Sequence, residues 1–298
     1  MDEYSQLFCK YFQNSSSCAK TDHKISNMDR VNKKINYQMA GEEGTTVILI
    51  HGIPSTLDEW EFLIPELISA GYRTISLDLL GHGGSYQPED PACYTVDSAY
   101  ELFEEWLASL NLDGPIVLIG HSFGGHLAIK YALNHPDKVS GLILIGPFLS
   151  YAQLRRMNRV LFSNPALSAF LYPLIPAWLI KAFVLSGSLK MERFQIRSSL
   201  SSEELAKMAA GYLRCSPNVV YFLGSVNDEA YHYAEIEAPT LLIWGKNDAT
   251  LSTNWYKEMV SNLPDWTYNV INAGHYPHRS NYGEVNALIL EFLKSNSI

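Results

Sequence analysis

The chain has 298 residues, with 22 Lys and Arg against 31 Asp and Glu, a net charge of −9. Hydrophobic residues make up 47% and charged residues 18%, so there is ample apolar mass for a core, and disordered, collagen-like and disulfide-scaffold classes are excluded. The acidic balance argues against a nucleic acid partner, because a polyanion needs a basic face; the length allows one large domain or two small ones.

Residues 1–22 hold Asp2, Glu3 and Lys10 and no long apolar run, which is unlike a secretory signal. Tyr4, Leu7, Phe8, Tyr11 and Phe12 recur at helical spacing. A short amphipathic helix docked on the body, followed by a linker at Asn14–Ser17, is expected there. Residues His23–Gly41 alternate in the manner of two antiparallel strands. Apolar runs then alternate with helical patterns. Thr45–Gly52 reads as a strand, Thr56–Gly71 as a helix, Tyr72–Gly83 as a strand and turn, and Thr95–Leu112 as a helix. Pro115–Ser122 reads as a strand, Phe123–Val139 as a helix and Ser140–Phe148 as a strand. These strands are apolar on both faces, the mark of a parallel sheet covered by crossover helices. The rhythm resumes with strand-like Ala238–Asp248, helical Asn254–Leu263, strand-like Trp266–His275 and a closing helix at Tyr282–Ser295.

Residues 149–234 break the rhythm and read as several helices, with no clear strand, inserted between two strands. Within them Ala166–Leu185 is 20 residues long, about a membrane span, but Pro173, Pro176 and Lys181 interrupt it. Short, apolar, proline-bounded helices are expected instead, packed over something or touching a membrane surface. The four cysteines, Cys9, Cys18, Cys93 and Cys215, lie far apart with no CxxC pair. They read as free thiols, which with the absence of a signal points to a cytoplasmic location.

The most informative segment is Gly120-His121-Ser122-Phe123-Gly124, a G-x-S-x-G between an apolar strand and a helix. A sharp strand-to-helix turn exposes the serine hydroxyl above the sheet, and the glycines remove side chains that would clash there. The amides opening the new helix can bind an oxyanion. A serine hydroxyl is a poor nucleophile at neutral pH, so this chemistry needs an imidazole to move its proton and a carboxylate to fix the imidazole tautomer.

With HGIP (His51–Pro54), DLLGHGGS (Asp78–Ser85), GHSFGG (Gly120–Gly125), WGKND (Trp244–Asp248) and AGH (Ala273–His275) in that order, residues 23–298 resemble the α/β-hydrolase fold. The likeness is to its branch of lid-bearing esterases, epoxide hydrolases and dehalogenases. The resemblance implies a mostly parallel twisted sheet flanked by helices, with a core of 23–148 and 235–298 and a helical lid at 149–234. It places the nucleophile at Ser122, the acid at Asp248 and the base at His275, in the chain order of that fold. His278, three residues on, is the rival base; Asp265, Asp228 and Glu235 are poorer candidates for the acid. The backbone amides of Ile53 and Phe123 correspond to the oxyanion hole. Epoxide hydrolases and dehalogenases of this type carry an aspartate where this chain has Ser122, which argues against both activities.

The expectation is therefore a serine hydrolase of carboxylic esters with an apolar portion, working through an acyl-enzyme. The same triad serves carbon–carbon bond hydrolases, lactonases, thioesterases and amidases, and the fold also hosts lyases, cofactor-free oxygenases and ligand receptors. No cofactor or metal is expected: there is no HExxH and no carboxylate cluster with ligand spacing. His51, His82 and His121 are expected to hydrogen bond within tight loops around the site. The insert carries many aromatics, most of them expected to form its own core and its contact with the body. It also has nine Lys and Arg against five Asp and Glu, a net of +4, while the remainder has 13 against 26, a net of −13. An apolar, basic-edged lid is where a small apolar ester or a membrane surface would approach.

Overall fold

The apolar runs become strands where the pattern places them. In chain order these are β1 (Tyr37–Ala40), β2 (Thr46–Ile50), β3 (Arg73–Leu77), β4 (Ile116–His121), β5 (Val139–Ile145), β6 (Lys190–Glu192), β7 (Gln195–Arg197), β8 (Thr240–Gly245) and β9 (Thr267–Ile271). The computed structural model describes residues 34–176, 178–182, 190–192, 195–197, 200–226, 233–262 and 266–298. The helix expected within 1–22 and the first part of the His23–Gly41 pair lie outside the described residues.

Seven strands make one sheet in the order β1-β3-β2-β4-β5-β8-β9. β1 runs antiparallel to β3, and every other pairing is parallel. The registers Ile50↔Gly120 and Gly120↔Leu144 bring the ends of β2, β4 and β5 level with one another. Alternate side chains serve two separate cores. Ile48, Ile50, Leu118, Leu142, Leu144 and Leu242 face one side, and Val47, Leu49, Ile119, Ile143, Ile145 and Ile243 face the other. All are buried, which explains why these strands show no polar alternation in sequence.

The described residues include the helices α1 (Ile64–Ser69), α2 (Val96–Ser109), α3 (Phe123–Asn134), α4 (Arg156–Leu161), α5 (Pro165–Leu171), α6 (Ser202–Leu213), α7 (Tyr221–Ser225), α8 (Asn254–Asn262), α9 (Pro277–Ser280) and α10 (Tyr282–Ser295). Phe103 and Trp106 of α2 and Leu127 and Ile129 of α3 join the first core; Leu67 of α1 and Val285, Ile289 and Leu293 of α10 join the second. Helix α2 starts at Thr95, whose side chain accepts from the Ser98 amide, an N-cap that satisfies an otherwise orphaned donor. The helix expected over Thr56–Gly71 is shorter, a 3-10 turn at Leu57–Trp60 and then α1. Pro65 stands in the first turn of α1, where a helix tolerates its missing N–H, so the helix begins there.

The chain between β5 and β8 contains α4 to α7 and, contrary to the sequence reading, a small hairpin. β6 and β7 pair antiparallel with Met191 opposite Ile196. Three-residue strands are too short to leave a periodic signature. The stretch from Ala166 is broken as expected: α5 gives way to a 3-10 turn at Tyr172–Leu174, which contains Pro173. Among the described residues no helix is long and apolar enough to cross a membrane.

Ile119 lies at the centre of the sheet and is fully buried. Ile119→Ala should lower the free energy of unfolding by about 2–5 kcal/mol, the cost of a large-to-small change in a packed core. Urea denaturation measures it; a loss below about 1 kcal/mol would contradict the central position assigned to β4.

Candidate active site

The sequence-predicted residues gather at the C-terminal ends of the parallel strands, where open α/β sheets place their ligands. Ser122 follows β4 directly and has φ 50° and ψ −116°. A side chain in that left-handed region is strained, and four backbone hydrogen bonds hold it. The Ser122 amide donates to Ile145 O at 3.0 Å, and its carbonyl accepts from the amides of Gly125, His126 and Phe148 at 3.0, 3.3 and 2.9 Å. Gly124 permits the turn: a Cβ there would lie 2.2 Å from Ile50 O, so any other residue would push α3 off the end of β2.

His275 lies four residues beyond β9 and Asp248 three beyond β8. His275 Nδ1 donates to Asp248 Oδ2 at 2.8 Å, with both side chains buried. The other carboxylate oxygen accepts from the amides of Thr250 and Leu251, each at 2.8 Å. Asp248 is thus fixed by three donors, and the pair leaves Nε2 of His275 as the imidazole atom available to take a proton. The serine and the pair approach the same strand end. Ser122 N bonds Ile145 O, and a Cβ on the next residue, Gly146, would lie 3.6 Å from His275 Nδ1.

The loop after β2 closes on the serine from the other side. A Cβ on Gly52 would lie 2.9 Å from Ser122 Cβ, which puts Ile53 beside the elbow. Phe123 opens α3, so its amide has no acceptor within the helix. His51 Nδ1 donates to Gly52 O at 2.8 Å, and its Nε2 accepts from the Leu79 amide at 3.0 Å. Asp78 ties the same loops together: its carboxylate accepts from the Leu57 and Gly84 amides and from Asn36 Nδ2 at 2.7–2.9 Å. His82 Nδ1 donates to Leu80 O at 2.8 Å. His51 and His82 therefore organise turns, as their motif context suggests.

Glu59 carries no sequence signal. It sits between Asp58 and Glu61 in a helical pattern, with nothing to distinguish it from a solvated acid. It is buried instead, with Oε1 2.6 Å from His121 Nδ1 and 2.9 Å from His278 Nε2. His121 Nε2 donates to the carbonyl of His275 at 2.9 Å. A carbonyl only accepts, so that nitrogen is the donor of the pair. Burial pushes the Glu59 carboxyl up, but the charge and contacts of His121 and His278 outweigh it and hold the group well below the usual carboxylate range. His278 lies against Glu59, whereas His275 is bonded to Asp248.

Glu59, His121 and His278 also present three ligand-type atoms within 4.8 Å of one another. The two contacts of Oε1 are already shorter than the spacing of roughly 3.3 Å between donors sharing an ion at about 2.0–2.1 Å. The carboxylate oxygen occupies the space between the rings, so this cluster does not fit a metal. A separate cleft of about 410 Å³ lies between α6 and residues 55–61, lined by Thr56, Asp58, Glu61, Lys207, Arg214 and Arg279 among others. Neither Ser122 nor His275 lines it. Lys207 to Glu61 at 3.7 Å and Arg214 to Asp58 cross it, and Arg279 pairs with Glu61 at 2.6 Å on the body side, so it is a charged seam between the insert and the body.

Three buried histidines are held neutral by desolvation, His82 down to about 3 and His126 and His278 down to about 4, from an ordinary 6.5. The unfolded chain takes up these protons near 6.5 and the folded chain does not. Their contribution to stability is therefore full above 6.5 and is lost as pH falls toward 4, by up to about 1.4 kcal/mol per pH unit for each histidine. Glu59, with its lowered value, adds stability above the ordinary 4.5 that is lost only at still lower pH. The melting temperature should be level above about pH 7 and drop steadily between about pH 6.5 and pH 4. Circular dichroism melts across that range test it, and a flat profile would mean that the histidines are not buried neutral.

The sequence profile of the alpha/beta hydrolase fold family matches residues 45–168. Epoxide hydrolase 3 of Xenopus tropicalis is 27% identical over 300 residues, covering 94% of this chain and 80% of that protein. A 2-hydroxy-6-oxononadienedioate/2-hydroxy-6-oxononatrienedioate hydrolase of Pseudomonas putida is 27% identical over 280 residues, covering 88% and 92%. Among solved structures, a thermophilic esterase from Thermogutta terrifontis superposes with a TM-score of 0.71 at 24% identity, covering 88% of this chain and 93% of that one. The chain has the α/β-hydrolase fold and is similar to hydrolases that share it, epoxide hydrolases among them.

Proposed function

We propose that the protein is a serine hydrolase that cleaves carboxylic esters with an apolar portion, using Ser122, His275 and Asp248. The observation that carries this reading is the strained serine at the end of β4 beside a buried His275–Asp248 pair bonded at 2.8 Å. In the reaction Ser122 Oγ attacks the ester carbonyl while Nε2 of His275 takes its proton. Asp248 holds the imidazole with Nδ1–H toward itself and stabilises the imidazolium that forms. The tetrahedral oxyanion accepts from the amides of Ile53 and Phe123, each donor contributing about 3 kcal/mol to the transition state. Collapse expels the alcohol, which receives the proton from His275. Water, activated by the same imidazole, then releases the acid from the serine.

The relatives carry names of different chemistries, and the serine nucleophile argues against the epoxide one. An aspartate elbow forms an alkyl ester by opening an epoxide; a serine elbow forms an acyl ester, which suits ester cleavage. The insert between β5 and β8 serves in this reading as a lid. Phe222 of α7 is buried with its ring 5.0 Å from that of Phe123 and 5.4 Å from that of Tyr94. Tyr212 of α6 meets the hydroxyl of Tyr276, the neighbour of His275. Burial raises the pKa of both phenols and keeps them neutral. These buried aromatics make the surroundings of the elbow apolar and uncharged, which in this reading favours an apolar acyl or alcohol group.

A panel of p-nitrophenyl esters of rising chain length should be hydrolysed, and a fluorophosphonate probe should label the wild type. Ser122→Ala should abolish labelling and lower kcat/KM at least about a thousandfold, and Asp248→Asn should lower it comparably through the wrong tautomer. A wild-type protein that neither turns over nor labels refutes the serine hydrolase reading. Labelling without ester turnover would leave the triad standing and move the substrate to a lactone or carbon–carbon bond.

A further inference from the structure

We propose that the outward faces of α4 and α5 form a docking surface for an anionic lipid bilayer. The two helices are amphipathic in the wrong sense for a protein in water. In α4, Met157, Val160 and Leu161 share one face at spacing i, i+3, i+4 and are exposed, Met157 to 80%, while Asn158 is buried. In α5 and the turn after it, Leu167, Phe170, Leu171 and Leu174 fall at i, i+3, i+4, i+7. All four are exposed, Phe170 to 71%, while the small Ser168 and Ala169 turn inward. Trp178 follows at 69% exposure. Large apolar side chains at helical spacing normally face the core, and a contiguous apolar patch left outside marks an interaction site.

The orientation of α4 is fixed by its anchors. Arg155 N donates to Thr250 O at 3.0 Å and Arg155 Nε to Asp248 O at 2.7 Å. Asn158 Nδ2 lies 3.3 Å from both Ala249 O and Thr250 O, and Ser252 N donates to Gln153 O at 2.8 Å. Rolling α4 to bury Met157 would break these bonds. For α5, Tyr172 Oη donates to Tyr212 O at 2.7 Å and Ser168 Oγ to Leu161 O at 2.9 Å, so its inner side is engaged too.

Charge selects the occupant. Residues 149–182 contain Arg155, Arg156, Arg159 and Lys181 and not one Asp or Glu, in a chain whose net charge is −9. Arg156, Arg159 and Lys181 are exposed beside the apolar faces. A second copy meeting this surface face to face would set cations against cations. An anionic headgroup layer meets them with opposite charge and takes the leucine, phenylalanine and tryptophan side chains below it, the pattern of an interfacial helix.

The test is sedimentation of the full chain with vesicles of phosphatidylcholine alone and with about 30% phosphatidylserine, at about 0.1 M and about 0.5 M salt. The protein should pellet with the anionic vesicles and be released by high salt. Phe170→Ser with Trp178→Ser, both exposed positions, should melt like the wild type and reduce binding at least about tenfold. Arg156→Glu with Arg159→Glu should weaken binding to the anionic vesicles most. Ser122→Ala should pellet like the wild type, so the outcome is independent of the proposed chemistry. The proposal is overturned if the wild type stays in the supernatant with both vesicles, or if the serine double variant pellets unchanged. It is also overturned if the patch instead supports a concentration-dependent dimer that the double variant abolishes and no vesicle binding occurs.

Discussion

The left-handed backbone at Ser122 is the constraint around which the rest of the site is built. It places the hydroxyl above the sheet and turns the chain directly into α3. Such a conformation costs of order 1–3 kcal/mol and survives only where the surroundings overdetermine it. Here the carbonyl of Ser122 accepts from three amides and its own amide reaches the end of β5. Those partners exist because β4 lies between β2 and β5 in the centre of a parallel sheet. The sheet core is thus the source of the rigidity at the elbow, and the glycines on either side are what allow the helix and β2 to close on it.

Electrostatics behind the elbow follow a related logic. A charge buried without partners is costly, yet Asp248 and Glu59 are both buried acids within this small region. Each is compensated in its own way. Asp248 has two backbone amides on one oxygen and His275 on the other. Glu59 has His121 and His278 on one oxygen and lies near the Gly52 amide with the other. His121 connects the two centres, since it is next to Ser122 in sequence and donates to the carbonyl of His275. The loop that presents His275 is therefore held both from its acid and from the residue beside the serine, which narrows the positions its imidazole can adopt.

What could be read from the sequence was what repeats or punctuates. Strands buried on both faces leave unbroken runs such as Val47–Ile50 and Leu142–Ile145, and the motif glycines mark the turns that follow them. Ser122 and Asp248 were legible because each closely follows such a run, and His275 because Ala273-Gly274 marks the turn after the less buried edge strand β9. Glu59 was not, because its partners are 62 and 219 residues away in the chain and only the folded packing brings them together. The hairpin of β6 and β7 was too short to show a period, and where the helix within Thr56–Gly71 begins depended on which turn Pro65 would occupy. The prolines marked short apolar helices in this stretch, but nothing in the sequence told which face α4 and α5 turn outward. The hydrogen bonds of Arg155 and Asn158 decide that, and they are contacts across the fold.

The same anchors join the insert to the chemistry at two places. On one side Arg155 and Asn158 bond the loop that begins with Asp248. On the other, Arg214 and Lys207 pair with Asp58 and Glu61, which flank the buried Glu59. The insert is therefore not a separate cover resting on the sheet. It is bonded to the loop of Asp248 at one end and to the neighbours of Glu59 at the other, so displacing the insert would disturb both supports at once.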